Sequence, residues 1–246
     1  MSTHSRFRFA SAPDSWGVLD YPGPSWNQDY EQMLDEMLSA GYRGTELGPY
    51  GFFPTDPAIL GPQLRKRDMV LLGSFVPVLL GDAASMQAVV DQIRKVGHLL
   101  STLGAPFLVM ADAQSPERDR IAGRVPGDGS GGFTAEQWKQ VKKVVAEAAS
   151  VTRDFDLDLV FHPHVSTYIE TPEETERFFD LRIDVRLAYP LVEICHEHNR
   201  GNLLHQGPIS CFHVVESGRY FIRVDRRTQS SRGSQRLLKQ NLRKLF

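Results

Sequence analysis

The chain has 246 residues, 41% hydrophobic and 24% charged, with a formal net charge of −2 at pH 7. That composition is ordinary for a globular protein of one large domain or two small ones. No run approaches the ~18 apolar residues of a membrane span, and the first residues carry no signal-peptide core, so a cytoplasmic protein without a membrane partner is expected. Its two cysteines, Cys195 and Cys211, are too few for a disulfide framework and form no CxxC pair.

In chain order, the first 180 residues alternate between strand and helix patterns. FRFASAP (7–13) reads as a first strand. Residues 26–40 place Tyr30, Met33, Leu34, Met37 and Leu38 on one side of a helix, with Ser25 as its cap and Gly41 as its stop. RGTEL (43–47) is a second strand, and 56–67 a second helix with Asp56 capping and Pro57 at its first position. MVLLGSFVPVLL (69–80) supplies a third strand. A long amphipathic helix over 82–103 follows, with Val89, Ile93, Val96, Leu99 and Leu100 as its stripe, and then a fourth strand, PFLVMAD (106–112).

The stretch GRVPGDGSGG (123–132) lies in a connection long enough to be a lid or a binding loop. Thr134, with Glu136 and Gln137 behind it, opens a helix to about residue 153. LDLVFHPH (157–164) is the fifth strand. Thr171, Pro172, Glu173 and Glu174 open a fifth helix, Thr capping and the two acids facing the helix N-terminus. Glu170 is expected to help cap that helix. Five successive strand–helix units imply a parallel sheet in an α/β fold, and both an open doubly wound sheet and an eightfold barrel fit. Neither GxGxxG nor GxxxxGK[ST] occurs, so nucleotide binding has no support.

Alternation along the fifth strand points Leu157, Leu159 and Phe161 one way and Asp158, Val160, His162 and His164 the other. Two imidazoles on one face at a strand's C-terminal end can point at one ion or substrate, or simply line a rim. Glu46, near the end of the second strand, faces inward by the same alternation. A buried carboxylate there needs a partner, a metal or a proton, which leaves a structural ion pair and an acid/base role both open. Asp112 ends the fourth strand and Asp14 follows the first; both are rim carboxylates suited to caps. Trp16 either walls a pocket or packs.

These residues resemble a known family. APDSWGV, YRGTELGPYGFFP, RDMVLLGSFVPVLL and HPHVSTYIETPEE look like the inosose dehydratase branch of the xylose isomerase-like barrels, a superfamily of sugar phosphate isomerases and epimerases that also holds endonuclease-IV-type repair enzymes. The resemblance covers about residues 7–180. It implies a TIM-type (β/α) barrel, incomplete or irregular after the fifth strand–helix unit. It also implies a divalent metal, manganese or cobalt, and a keto-polyol or keto-sugar substrate. The implied reaction removes a proton next to a carbonyl, with a metal-stabilised enediolate, before water leaves. Carried over position by position, His162 or His164 falls near a metal-binding glutamate of the fifth strand, and Glu46 matches an inward acid of the second. On that basis Glu46 and His164 are expected to be catalytic, His162 and His164 to bind metal, and Trp16, Asp112 and His162 to contact substrate.

The family pattern stops at residue 180, and so does the charge balance. Residues 1–180 carry 16 Lys+Arg against 25 Asp+Glu, a formal −9, whereas 181–246 carry 12 against 5, a formal +7. Strand-like runs remain at 190–195, 209–215 and 220–224, without a crossover helix between them. The later-strand ligands of the family, such as an LCLDTGH run, are absent from the text. Either His196, His198, His213 and Glu216 substitute for them, or the last 66 residues are an aberrant segment from a frameshift, retained intron or alternative exon. The expected organisation is therefore five barrel units over 1–180 and a divergent basic segment over 181–246. Metal-dependent lyase or isomerase activity on an inosose-like substrate is the first reading. A truncated, inactive barrel product and a sugar epimerase are the alternatives. A homo-oligomer is allowed, and the −9 of the barrel portion argues against specific nucleic-acid binding.

Overall fold

The computed structural model describes residues 8–18, 26–181, 183 and 221–223. In chain order the elements are β1 (Arg8–Ser11), α1 (Tyr30–Ser39), β2 (Gly44–Thr45), α2 (Pro57–Lys66), β3 (Val70–Leu71), β4 (Gly73–Val78), α3 (Met86–Thr102), β5 (Phe107–Asp112), α4 (Pro116–Asp119), α5 (Ala135–Asp154), β6 (Asp158–Phe161), α6 (Pro172–Phe179) and β7 (Phe221–Arg223). Short 3₁₀ turns at Pro13–Trp16 and Ala83–Ser85 precede α1 and α3.

Among the described residues every strand pairing is parallel. One sheet has the order β3-β2-β1-β7 and the other β4-β5-β6. The predicted third strand is thus two short segments, β3 bonded to β2 and β4 to β5. Backbone bonds carry the ladder across the break: Leu72 N donates to Thr45 O at 2.9 Å, Leu47 N to Gly73 O at 2.9 Å, and Phe107 N to Leu72 O at 3.2 Å. Neighbours in space follow neighbours in sequence from β1 to β6. A doubly wound sheet reverses its strand order partway. The unbroken order is that of a barrel wall and removes the open-sheet alternative.

The two faces of this wall differ. Val76, Val78, Leu108, Met110, Leu159 and Phe161 join the helices in one large buried cluster. Val109 and Val160, with Phe75 and Phe107, form a small second cluster on the other face. The helices therefore lie outside, and the alternation predicted for 157–161 holds. Phe161, 1% exposed, stacks on Phe178 with ring centroids 3.7 Å apart. Burial of such a ring stabilises by roughly 1.5–3 kcal/mol.

Local signals set most boundaries. Thr134 and Gln137 form a capping box on α5, and Thr171 and Glu174 form one on α6. Asp56 caps α2 as predicted, accepting from Ala58 N. The first helix starts later than its pattern: Asp29 caps it, its carboxylate accepting from Glu31 N and Gln32 N. The third helix also starts late, because Asp82 caps the 3₁₀ turn before it. Of the three late strand-like runs, 220–224 contains β7, which pairs with β1; 190–195 and 209–215 lie outside the described residues.

Candidate active site at the barrel mouth

Chemistry in such barrels sits at the C-terminal ends of the strands. There, β6 ends at Phe161 and the chain continues through His162, Pro163 and His164. His162 stays in the ladder, its N–H donating to Met110 O at 2.8 Å. Its ring lies 5.6 Å from that of His164, and both rings pack on Phe75, at 5.8 and 5.9 Å. Phe75 belongs to the inner cluster. The two histidines predicted to share a face therefore meet over the aromatic floor of the barrel interior.

The protonation pattern of His164 follows from its neighbour. Its Nδ1 lies 2.8 Å from Val165 O. A carbonyl oxygen only accepts, so Nδ1 carries the hydrogen and the neutral ring keeps its lone pair on Nε2. Backbone bonds hold the residue: His164 N donates to Ile169 O at 3.2 Å, and Thr167 Oγ1 donates to His164 O at 2.7 Å.

Glu46 follows β2 and is 8% exposed. Two residues earlier, a Cβ on Gly44 would meet Ala10 Cβ and Val70, and Ala10 is its ladder partner, so Glu46 shares the face of the Ala10–Gly44–Val70 row. Leu47 lies in the outer cluster, as the inward placing of Glu46 requires.

Trp16 and Asp112 make packing and loop-tying contacts. The Trp16 indole N–H donates to Glu36 Oε2 of α1 at 2.9 Å, and its ring meets Tyr42 edge-on. Asp112 lies in the register of Leu108 and Met110. Its Oδ1 accepts from Leu80 N at 3.2 Å and its Oδ2 from Tyr168 N at 2.9 Å, so it ties the loop after β4 to the loop after β6. Burial dominates this carboxyl and pushes it up to about 6, against bonds from the Tyr168, Leu80 and Ala113 backbone and the charge of Arg118.

The ordinary value of Asp is 3.8, so the native state holds this proton more tightly than the unfolded chain does. The contribution to stability is complete below about 3.8 and is lost as pH rises through about 6. The gap corresponds to roughly 3 kcal/mol. Urea unfolding across that window is expected to show this arm in the parent and not in Asp112→Ala. A parent-minus-variant difference that is flat with pH would contradict it.

Glu170 does not cap α6; Thr171 does. Glu170 instead spends both oxygens on loop amides, Oε1 accepting from Gly123 N at 2.6 Å and Oε2 from Ser166 N at 3.0 Å. Beside it, Arg118 is 1% exposed and donates to both oxygens of Glu174, at 2.8 and 3.0 Å, and to Gly131 O at 2.9 Å. This cluster pins the Gly-rich connection after β5 against the histidine-bearing turn. Phe133 closes the connection, stacking on Tyr168 at 4.6 Å and covering Gly81, where any Cβ would collide with its ring. Sequence reading missed Arg118, Phe75 and Phe133. Only the start of α4 was legible, as Ser115 followed by Pro116 and Glu117.

Among the described residues, no three His, Cys, Asp or Glu side chains converge as a metal site. Cys195, His196, His198, His213 and Glu216 lie outside the described residues. No described helix is long and apolar enough to cross a membrane.

The geometry is that of a TIM-type (β/α) barrel. A xylose isomerase-like TIM barrel protein from Mycobacterium smegmatis, in complex with magnesium, superposes with a TM-score of 0.58 at 14% identity, covering 79% of this chain and 68% of the other. The D-allulose 3-epimerase of a Methylomonas species gives 0.58 at 15% identity, covering 82% and 68%. By sequence, the chain resembles inosose dehydratases. That of Geobacillus kaustophilus is 27% identical over 203 residues, which is 79% of this chain and 62% of the relative. The chain spans about three fifths of the length of the curated relatives it matches. No protein-family profile matches it.

Proposed function

We propose that the chain is a sugar- or polyol-transforming enzyme of this superfamily, acting as an inosose dehydratase-like lyase. The observation that carries this reading is the His162–His164 pair, set over Phe75 at the barrel mouth with Nδ1 of His164 against the Val165 carbonyl. The likeness to inosose dehydratases supports the substrate class, a cyclic keto-polyol.

In this reading Glu46 takes the proton from the carbon next to the substrate carbonyl. The hydroxyl on the following carbon departs with a proton as water, so the net change is loss of one water. His162 and His164 would hold a divalent metal, manganese or cobalt. Neutral imidazoles and an inward carboxylate are donors that first-row divalent ions accept. Such an ion supplies Lewis acidity at the carbonyl oxygen. Phe75 keeps the floor of the site dry. A cytoplasmic location, a division near residue 180 and a possible homo-oligomer belong to the same proposal.

Two alternatives stay in play. A catalytically inactive barrel product is favoured by the change of charge and pattern at residue 180. An epimerase is favoured by the likeness to an allulose epimerase. Titration with manganese or cobalt chloride, followed by thermal unfolding, separates the inactive product from the two enzymatic readings. Binding is expected to stabilise the chain by about 2.7 kcal/mol at a hundred times Kd, and the His162→Ala/His164→Ala variant is expected to lose that gain. Turnover of 2-keto-myo-inositol with loss of water supports the lyase, and interconversion of keto-sugar epimers supports the epimerase. Neither activity, with no metal response, leaves the inactive product.

A further inference from the structure

The connection after β5 and the turn carrying His164 share one buried charge cluster. Arg118 holds Glu174 by two bonds and lies 3.7 Å from Glu170 Oε2. Glu174 Oε2 also accepts from Glu170 N at 2.9 Å and Thr171 N at 3.0 Å, which fixes the backbone that carries Glu170. Glu170 in turn binds Ser166 N. Ser166 is held from the other side as well: its Oγ donates to Asp119 Oδ1 at 3.0 Å, and its carbonyl accepts from Ser115 N at 3.1 Å.

Ser166 adopts φ 66, a left-handed conformation that costs a residue with a side chain and persists only where its surroundings impose it. Here the imposing groups are Glu170 and the segment that bears Arg118. The same turn contains Val165, whose carbonyl fixes the hydrogen of His164 on Nδ1.

We propose that Arg118 is a positioning residue for His164. Acting through Glu174 and Glu170, it holds Ser166 in its left-handed conformation and so keeps the Val165 carbonyl on Nδ1 of His164. One buried guanidinium between the carboxylates of Glu170 and Glu174 is the keystone. Without it the like charges of Glu170 and Glu174 push apart. Glu170 then releases Ser166 N, the turn relaxes, and Nδ1 loses its carbonyl. The ordering of the connection after β5 is thereby coupled to which imidazole nitrogen of His164 carries the hydrogen. The importance of that nitrogen rests on the function proposed above; the coupling itself does not.

The test is ¹⁵N NMR of the imidazoles in the full chain, at a pH where they are neutral, with exposed His98 of α3 as the control. The parent is expected to show His164 as a single Nδ1–H tautomer. Arg118→Met, and the milder Glu170→Gln, which keeps size but removes one amide acceptor, are expected to give a mixed tautomer pattern for His164 and leave His98 unchanged. Arg118→Lys is expected to restore part of the parent pattern. A folded variant with an unaltered His164 spectrum overturns the proposal. So does unfolding by Glu170→Gln as well as Arg118→Met, because the cluster is then structural alone. Turnover by the parent is scored separately: an inactive parent whose His164 responds to Arg118→Met sinks the function and leaves the coupling standing.

Discussion

Arg118→Ala is expected to cost the fold about 3–5 kcal/mol, the range for breaking a buried ion pair from one side. The expectation rests on what stays behind. Glu170 and Glu174 have side chains only 5% and 13% exposed, so neither is rehydrated as a surface carboxylate is when the guanidinium goes. Gly131 O loses its donor at the same time. Arg67 provides the internal contrast. It too is buried, and it bonds Asp35 at 2.6 Å, but that carboxylate is 62% exposed and is rehydrated when its partner is removed. Arg67→Ala is therefore expected to cost much less. Urea denaturation of both variants measures the difference, read from midpoints at unchanged slope. Equal losses would show that desolvation of the Arg118 partners does not govern the effect.

Under the proposed function, Glu46→Gln is expected to lower turnover by about 10²–10⁴-fold, the usual contribution of a positioned general base. Glutamine matches the size of the buried side chain but cannot take a proton. The melting temperature is expected to stay near that of the parent, because the substitution is isosteric and Leu47, beside it, keeps its place in the outer cluster. Exchange of the substrate's α-hydrogen in deuterated water isolates the step. Loss of exchange with retained substrate binding assigns the base to Glu46. Exchange at the parental rate removes Glu46 from that role and returns it to a structural ion pair.

The fold was legible in local signals. The capping boxes of Thr134 and Thr171, Asp56 followed by Pro57, and the apolar stripe of the long third helix all report on neighbours three or four residues away. The inward and outward faces of the fifth strand were legible for the same reason, since alternation is a property of a single strand. The first helix was misjudged where two local candidates competed: the pattern begins at Trp26, but Asp29 offers a carboxylate to two amides and starts the helix there.

The site was legible only in part. The facing of His162, His164 and Glu46 was legible because strand period and strand end determine it. Their floor, Phe75, sits on a different strand, and only the β4–β5–β6 pairing brings it beneath the histidines. Glu170 was misassigned because a carboxylate before a helix is locally an ordinary cap, and the groups that claimed it, Gly123 and Arg118, lie about fifty residues earlier in the chain.

The sequence by itself determined the strand–helix alternation, the caps, the facing of the fifth-strand histidines and the inward turn of Glu46. Each depends on periods and bonds spanning a few residues. Only the tertiary structure decided between an open sheet and a barrel wall, brought Phe75 under both rings, and buried Arg118 between Glu170 and Glu174. Those outcomes depend on which distant segments exclude water from one another. A guanidinium whose composition marks it for the surface is held inside by carboxylates that only the completed fold brings within reach.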